Sequence, residues 1–150
     1  MAKVIKGRSK TEGFGLFATK DIKKGETAFL FTGRLVHTAH PQMTHRSLQI
    51  STWEYIDPTR KHLGWYLNHS CRPNCYVVGK NKITAFRHIK KGEEITIDYS
   101  FNTTYEGWDM RCLCKQKNCR KKLVSFQRLP KKVKMKGLKY ASQHIKNFFE

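Results

Sequence analysis

Acidic side chains are scarce in this 150-residue chain: 11 Asp and Glu stand against 30 Lys and Arg, a net charge of +19. That imbalance attracts polyanions and repels basic proteins at long range. No run approaches the ~18 apolar residues that a membrane span needs, so no membrane attachment is expected. The opening Met1-Ala2-Lys3-Val4-Ile5-Lys6 lacks the apolar centre of a signal peptide. Cysteines number five, an odd count that excludes a complete internal disulfide set. A reducing, intracellular setting with thiolates available to metal is the expectation. Internal repeats and low-complexity segments are also missing.

What is present suits one globular domain. Hydrophobic residues make up 39% and aromatics 12%, and a chain of this length buries roughly 70% of its unfolded surface. The positive charge is uneven. Residues 1–110 hold 17 basic and 10 acidic side chains, whereas residues 111–150 hold 13 basic and one acidic. The basic C-terminal face is either a solubilising surface or a contact for nucleic acid or chromatin.

Local chemistry predicts a mainly β domain with a minor helical part. Thr27 to Val36 reads as a strand interrupted by Gly33, and Ile95 to Tyr99 as another. Tyr76 to Phe86 reads as a hairpin turning at Gly79-Lys80-Asn81-Lys82. The turn chemistry of residues 21–26 recurs at residues 88–93. His37 to Ser51 is poorly patterned, a loop or a short helix. Leu129-Pro130 marks a helix start, and Leu138, Ala141, Ile145 and Phe148 follow at helical spacing. The expected division is 1–105, 108–124 and a basic C-terminal helix over 125–150.

Cys112-x-Cys114-x4-Cys119 places three sulfur ligands close together. A structural zinc site is tetrahedral and closed, so a fourth ligand must come from elsewhere, and Cys71 and Cys75 are the other thiols. Arg111, Lys115, Lys117 and Arg120 favour thiolates electrostatically. The alternative is a set of buried or free cysteines.

Four blocks together resemble the SET-domain protein-lysine methyltransferases with their post-SET segment. Gly13-Phe14-Gly15-Leu16-Phe17-Ala18 resembles that family's first cofactor-binding motif. Asn68-His69-Ser70-Cys71-Arg72-Pro73-Asn74 is close to its most specific motif, and Glu94-Ile95-Thr96-Ile97-Asp98-Tyr99 resembles its last. Arg111-Cys112-Leu113-Cys114 through Cys119-Arg120 is similar to the zinc-binding post-SET segment. The order matches, and the likeness covers roughly residues 5 to 125.

The resemblance implies a β-clip fold of small curved sheets with a knot-like crossing near the Asn68-His69 block. It implies S-adenosylmethionine as methyl donor, a structural zinc ion, and a partner protein that presents a lysine, such as a histone or a ribosomal protein. The location would be cytoplasmic in a microbe and nuclear in a eukaryote. Tyr99 takes the place of the catalytic tyrosine. Gly13, Phe14, Gly15, Asn68, His69 and Leu123 would hold the cofactor, and Phe31, Ile97 and Phe101 would line the substrate channel. Cys71 would join Cys112, Cys114 and Cys119 on the metal, leaving Cys75 free. There are departures. Phe31 lacks the hydroxyl often present in that channel, Ile97 replaces the usual aromatic, and Trp65 stands where arginine is common. The pre-SET cysteine cluster of some relatives is absent.

Transfer to an amine needs its lone pair, yet free lysine has a pKa of ~10.4. A narrow apolar channel disfavours the charged form, and in-line alignment supplies much of the remaining acceleration. No general base is obvious. The competing function is a non-catalytic zinc-bearing module that binds nucleic acid or chromatin, with Tyr99 as a core tyrosine.

Overall fold

In the computed structural model, which describes residues 2–37 and 44–149, the first hairpin carries one wall of the site. β1 (Val4–Arg8) and β2 (Phe14–Ala18) pair antiparallel in a register that sets Val4 opposite Ala18. They reverse through Gly13, whose φ of +49° suits a residue without a Cβ. The single strand expected over 27–36 is two, β3 (Thr27–Leu30) and β4 (Arg34–His37), in different sheets. Gly33 is the reason the chain can change sheets there. A Cβ at that position would lie 2.5 Å from the Asp57 carbonyl oxygen.

Residues 38–43 of the unpatterned 37–51 stretch lie outside the described residues. The remainder turns at His45 and Arg46 and continues into β5 (Leu48–Gln49), which with β4 flanks β6 (Glu54–Asp57). A single 3-10 turn at Leu63–Tyr66 then delivers β7 (Asn68–His69). β8 (Cys75–Val78) and β9 (Lys82–Ala85) form the expected hairpin across Gly79, with β3 on the far side of β9.

β10 (Glu94–Ile97) lies between β2, to which it is antiparallel, and β7, to which it is parallel. The 70–74 loop wraps this strand. Ser70 N donates to Ile97 O at 3.0 Å, the Asn74 amide Nδ2 to Glu94 O at 2.7 Å, and Thr96 N to Asn74 Oδ1 at 3.0 Å. Asn74 is 3% exposed, so its amide does the work of a ladder from inside the core. The strand expected through Tyr99 stops at Ile97, because Asp98 caps a 3-10 turn over Tyr99–Phe101 by accepting from Ser100 N.

The recurrent turns at 21–26 and 88–93 face one another. Ile22 and Ile89 exchange both backbone hydrogen bonds at 2.8 Å. Gly25 and Gly92 take φ values of +87° and +88°, and Glu26 and Glu93 each accept from the N–H three residues before.

β11 (Asp109–Arg111) and β12 (Lys122–Val124) form a two-stranded sheet around the cysteines. The C-terminal segment is not one helix. α1 (Lys131–Gly137) follows Pro130 as expected, but a 3-10 turn at Leu138–Tyr140 ends it and α2 (Gln143–Phe149) begins afresh. Ser142 breaks the run. Its N–H donates to Phe101 O, and its hydroxyl pairs with Asn102 Oδ1, bonds to the domain that a continuous helix would forfeit. Ala141 and Ile145 are buried, whereas Phe148 is 80% exposed and lies off the packing face. The result is a mainly β architecture with three buried clusters, in the sheets, around the thiols, and under the C-terminal turns.

Candidate functional site

Two cavities meet at Tyr99. The larger is lined by Gly13 and Phe14 from the first turn, by Asn68 and His69 from β7, and by Leu123 from β12. The narrower is lined by the apolar side chains of Phe31, Leu48, Leu67, Ile97 and Trp108 together with polar ones, among them His45, Arg46 and Asn102. Tyr99 lines both.

The backbone dictates where these groups point. The Tyr99 hydroxyl donates to Leu67 O, and its N–H donates to His69 Nδ1 at 3.1 Å. Burial raises the phenol's pKa, with the Arg46 charge opposing, so the hydroxyl is neutral at physiological pH. Both Asn68 Nδ2 hydrogens are committed, to Phe14 O and to Glu94 Oε1 at 2.9 Å each. That leaves its Oδ1 to accept from a ligand. Gly15 stands behind this wall rather than in it. A Cβ there would sit 2.2 Å from Glu94 Oε1, so the glycine leaves room for the carboxylate that orients Asn68.

Phe31 and Ile97 are each 3% exposed and face the narrow cavity. Gly64 lies directly under the Phe31 ring, where a Cβ would meet Cε2 at 2.5 Å. Phe101 is placed elsewhere. It occupies the same 3-10 turn as Tyr99, where two steps of about 120° carry a side chain to another face. Its ring packs against Phe126 at 6.2 Å and beneath Gly137, so it supports the C-terminal turns instead of the channel.

The thiols converge beside the larger cavity. Donor atoms of His69, Cys71, Cys112 and Cys114 all lie within 4.8 Å of one another. Cys71 and Cys112 Sγ are 3.7 Å apart, far beyond a disulfide bond. A tetrahedron of sulfurs at the usual zinc distance has edges of about 3.8 Å, which the Cys71–Cys112 pair matches, while Cys119 is not among the four converging residues and His69 is. Cys119 Sγ sits 3.9 Å from Cys112 O and accepts from Lys121 N, a bond that lowers its pKa to about 7. Burial pushes the Cys71 thiol up to about 11 and raises Cys112 as well. Such thiols ionise only with a cation among them. Cys75 is apart from the cluster, buried against the core with its pKa pushed up to about 12.

Residues 13–100, more than half of the chain, match the family model described as the SET domain. The chain belongs to the SET-domain family. In an alignment 129 residues long that covers 72% of this SET domain chain, it is 37% identical to a Yarrowia lipolytica protein named as an H3 lysine-36 specific histone-lysine N-methyltransferase. It is 35% identical over 134 residues, 77% of the chain, to the histone-lysine N-methyltransferase trithorax of Drosophila virilis. The chain spans only 16% and 3% of the lengths of those two proteins. Among solved structures, KRYPTONITE in complex with mCHG DNA and SAH superposes with a TM-score of 0.63 at 24% identity, over 78% of this chain and 28% of that one. That likeness confirms the SET fold.

Several SET-site residues have roles that were not assigned from the sequence. Asp98, 2% exposed, accepts both guanidinium branches of Arg120 at 2.7 Å and lies 3.7 Å from His69 Nδ1. His69, its side chain 6% exposed, is held neutral with its pKa lowered to about 4, chiefly by burial and also by Arg120, against the pull of Asp98. Arg120 also donates its N–H to Cys71 Sγ at 3.4 Å. Its position directly after Cys119 was the available clue, and its partner was not readable. His45 and Arg46 reach both cavities from a stretch without pattern.

Proposed function

We propose that this chain transfers a methyl group from S-adenosylmethionine to the side-chain amine of a lysine in a protein. One observation carries the reading: a neutral phenol stands where the larger cavity and a narrow, partly apolar one join. S-adenosylmethionine, when bound, supplies a methyl group on a positively charged sulfur. Asn68 Oδ1 and the backbone around Gly13 and Phe14 bind and orient it, while Leu123 covers its apolar part. Phe31, Leu67 and Ile97 exclude water from the entering lysine stem and disfavour its charge. The Tyr99 hydroxyl, pinned to the Leu67 carbonyl, fixes the line of approach.

Zinc belongs to this reading as a structural ion held by Cys71, Cys112, Cys114 and Cys119. His69 is close enough to compete with Cys119 for the fourth place, but its nitrogens are spent. Nδ1 accepts from Tyr99 N, so the proton resides on Nε2, which lies 3.3 Å from Cys71 Sγ and donates to it. That role supports a thiolate ligand from behind.

The names of the relatives point to a histone or a similar basic protein as acceptor. The +19 charge repels such a protein when free and favours it when it is bound to nucleic acid. A nucleoprotein is therefore the favoured partner, with a nuclear site of action where the source is eukaryotic. The test is incubation with labelled S-adenosylmethionine and acid-extracted basic proteins, alone and on DNA. Wild-type chain labels lysine, and Tyr99→Phe loses at least a hundredfold in rate while keeping its affinity for the donor. Unchanged turnover in that variant removes Tyr99 from the mechanism.

A further inference from the structure

Among the described residues, three line both cavities: Tyr99, His45 and Arg46. The first has a role above. The other two stand where an incoming ammonium must lose a proton, the one step for which no group has been named.

Arg46 is fixed in place. Its Nη1 donates to the Trp65 carbonyl, and its guanidinium lies over the Trp65 ring at 4.4 Å. Its field reaches Tyr99, on which it is the leading counterweight to burial. A fixed positive charge beside an ammonium disfavours that ammonium. Packing against Trp65 explains why the guanidinium stays there and leaves open what its charge does.

His45 is exposed to solvent and lines the cavities from the same turn. The charged and titratable groups around it are Arg46 on its own turn, Glu12 from the first hairpin, Tyr99 from the opposite wall, and Arg111 and His69 farther along the larger cavity. Loss of hydration on its inner edge, then the Arg46 charge, hold its pKa below the usual histidine value, with Glu12 opposing. The ring is therefore a free base at neutral pH.

We propose that His45 is the catalytic base that takes the proton from the bound lysine ammonium, and that Arg46 is the fixed charge that drives that proton off. The inference rests on the methyltransferase reading above. The N–H bond of the ammonium breaks, its electron pair stays on nitrogen, and the proton passes to the imidazole. The amine lone pair then forms the new N–C bond as the S–C bond breaks, its electron pair going to sulfur. The products are a methylated ammonium and a neutral thioether. The imidazolium gives its proton to solvent through its exposed edge, and total charge is conserved.

The experiment is the pH profile of single-turnover transfer by the zinc-loaded full chain. Tritiated S-adenosylmethionine is the donor and acid-extracted basic proteins are the acceptors, with affinity for S-adenosylhomocysteine measured in parallel. His45→Gln loses about a hundredfold at pH 7 and recovers toward wild type by about pH 9.5, where solvent removes the proton unaided. Its affinity for S-adenosylhomocysteine stays within twofold. His45→Ala regains at least tenfold when free imidazole is added, because the site opens to solvent. Arg46→Met needs a pH about one unit higher to reach its plateau. A His45→Gln profile parallel to wild type at every pH, or no imidazole rescue of a folded His45→Ala chain, overturns the inference and leaves the transferase reading standing. No transfer by wild type at any pH overturns both.

Discussion

Arg120→Ala should destabilise the domain by about 3 kcal/mol, although the residue lies on a surface-proximal segment. In the wild type, two 2.7 Å hydrogen bonds join its guanidinium to Asp98, whose side chain is 1% exposed. Removing one partner of a buried pair strands the other charge and costs about 3–5 kcal/mol. The Arg120 side chain is 15% exposed, so water can reach the gap and the lower figure applies. A domain of this size holds a total of about 5–15 kcal/mol, so the loss is a large share. With a urea dependence of about 2 kcal/mol per molar, the unfolding midpoint falls by about 1.5 M. The assay is urea denaturation followed by tryptophan fluorescence with zinc saturating both proteins, which separates the ion pair from metal loss. The double variant Arg120→Ala/Asp98→Asn removes the stranded charge while an amide oxygen still accepts from Ser100 N. It should be about 2 kcal/mol more stable than the sum of the single losses implies. A single variant within 0.5 kcal/mol of wild type, or strict additivity in the cycle, would refute the claim that a stranded carboxylate is the cost.

Cys112→Ser should bind less than 0.2 equivalents of zinc, read by metal analysis after dialysis, whereas Cys75→Ser keeps one equivalent because that thiol is outside the cluster. Gly15→Ala should weaken donor binding at least tenfold in calorimetry, since the new Cβ would displace the Glu94 carboxylate that holds the Asn68 amide. His144 predicts a pH effect. Its folded pKa is lowered to about 4 by burial, while an unfolded histidine titrates near 6.5. Between those values the unfolded chain binds the extra proton, so stability falls as pH drops from 6.5 to 4, by at most about 3 kcal/mol. His144→Leu should remove about half of that slope, since His69 with its pKa lowered to about 4 carries a similar share, and an unchanged slope would show that the His144 ring is not buried in solution.

Much of the site was legible because its chemistry is contiguous. Asn68, His69 and Cys71 share one short stretch, which was legible through its resemblance to a family motif, whereas the spacing of Cys112, Cys114 and Cys119 points to sulfur ligands by itself. The β8–β9 hairpin and the paired turns at 21–26 and 88–93 were readable for the same reason, since glycines at fixed offsets announce them. What could not be read was decided by partners distant in sequence. The strand expected over 27–36 divides because Asp57 and Pro58 crowd Gly33. The expected C-terminal helix divides because Phe101 and Asn102 bind Ser142. Phe101 leaves the channel because a 3-10 turn replaces the last step of a strand. His45 and Arg46 were invisible because nothing in their own neighbourhood repeats; their meaning comes only from the cavities they join.

The proposed chemistry moves no electrons through a metal, so the zinc ion proposed for the thiol cluster would have a mechanical role. β11 and β12 are three residues each and pair only with each other. An isolated two-stranded ribbon is marginal in water. Yet this ribbon and its loops contribute Met110, Arg111, Leu113 and Leu123 to the wall of the larger cavity. Its ties to the core include the Arg120–Asp98 pair and the thiol cluster through Cys71. Both end on the same few residues, because His69 touches Asp98, Cys71 and Tyr99 N. Closing the wall and setting the tyrosine are thus one event. Chelation should therefore abolish donor binding before it unfolds the sheets, with protease cleavage appearing first between residues 108 and 124. Retained affinity for S-adenosylhomocysteine in the metal-stripped chain would show that the wall stands without the ion.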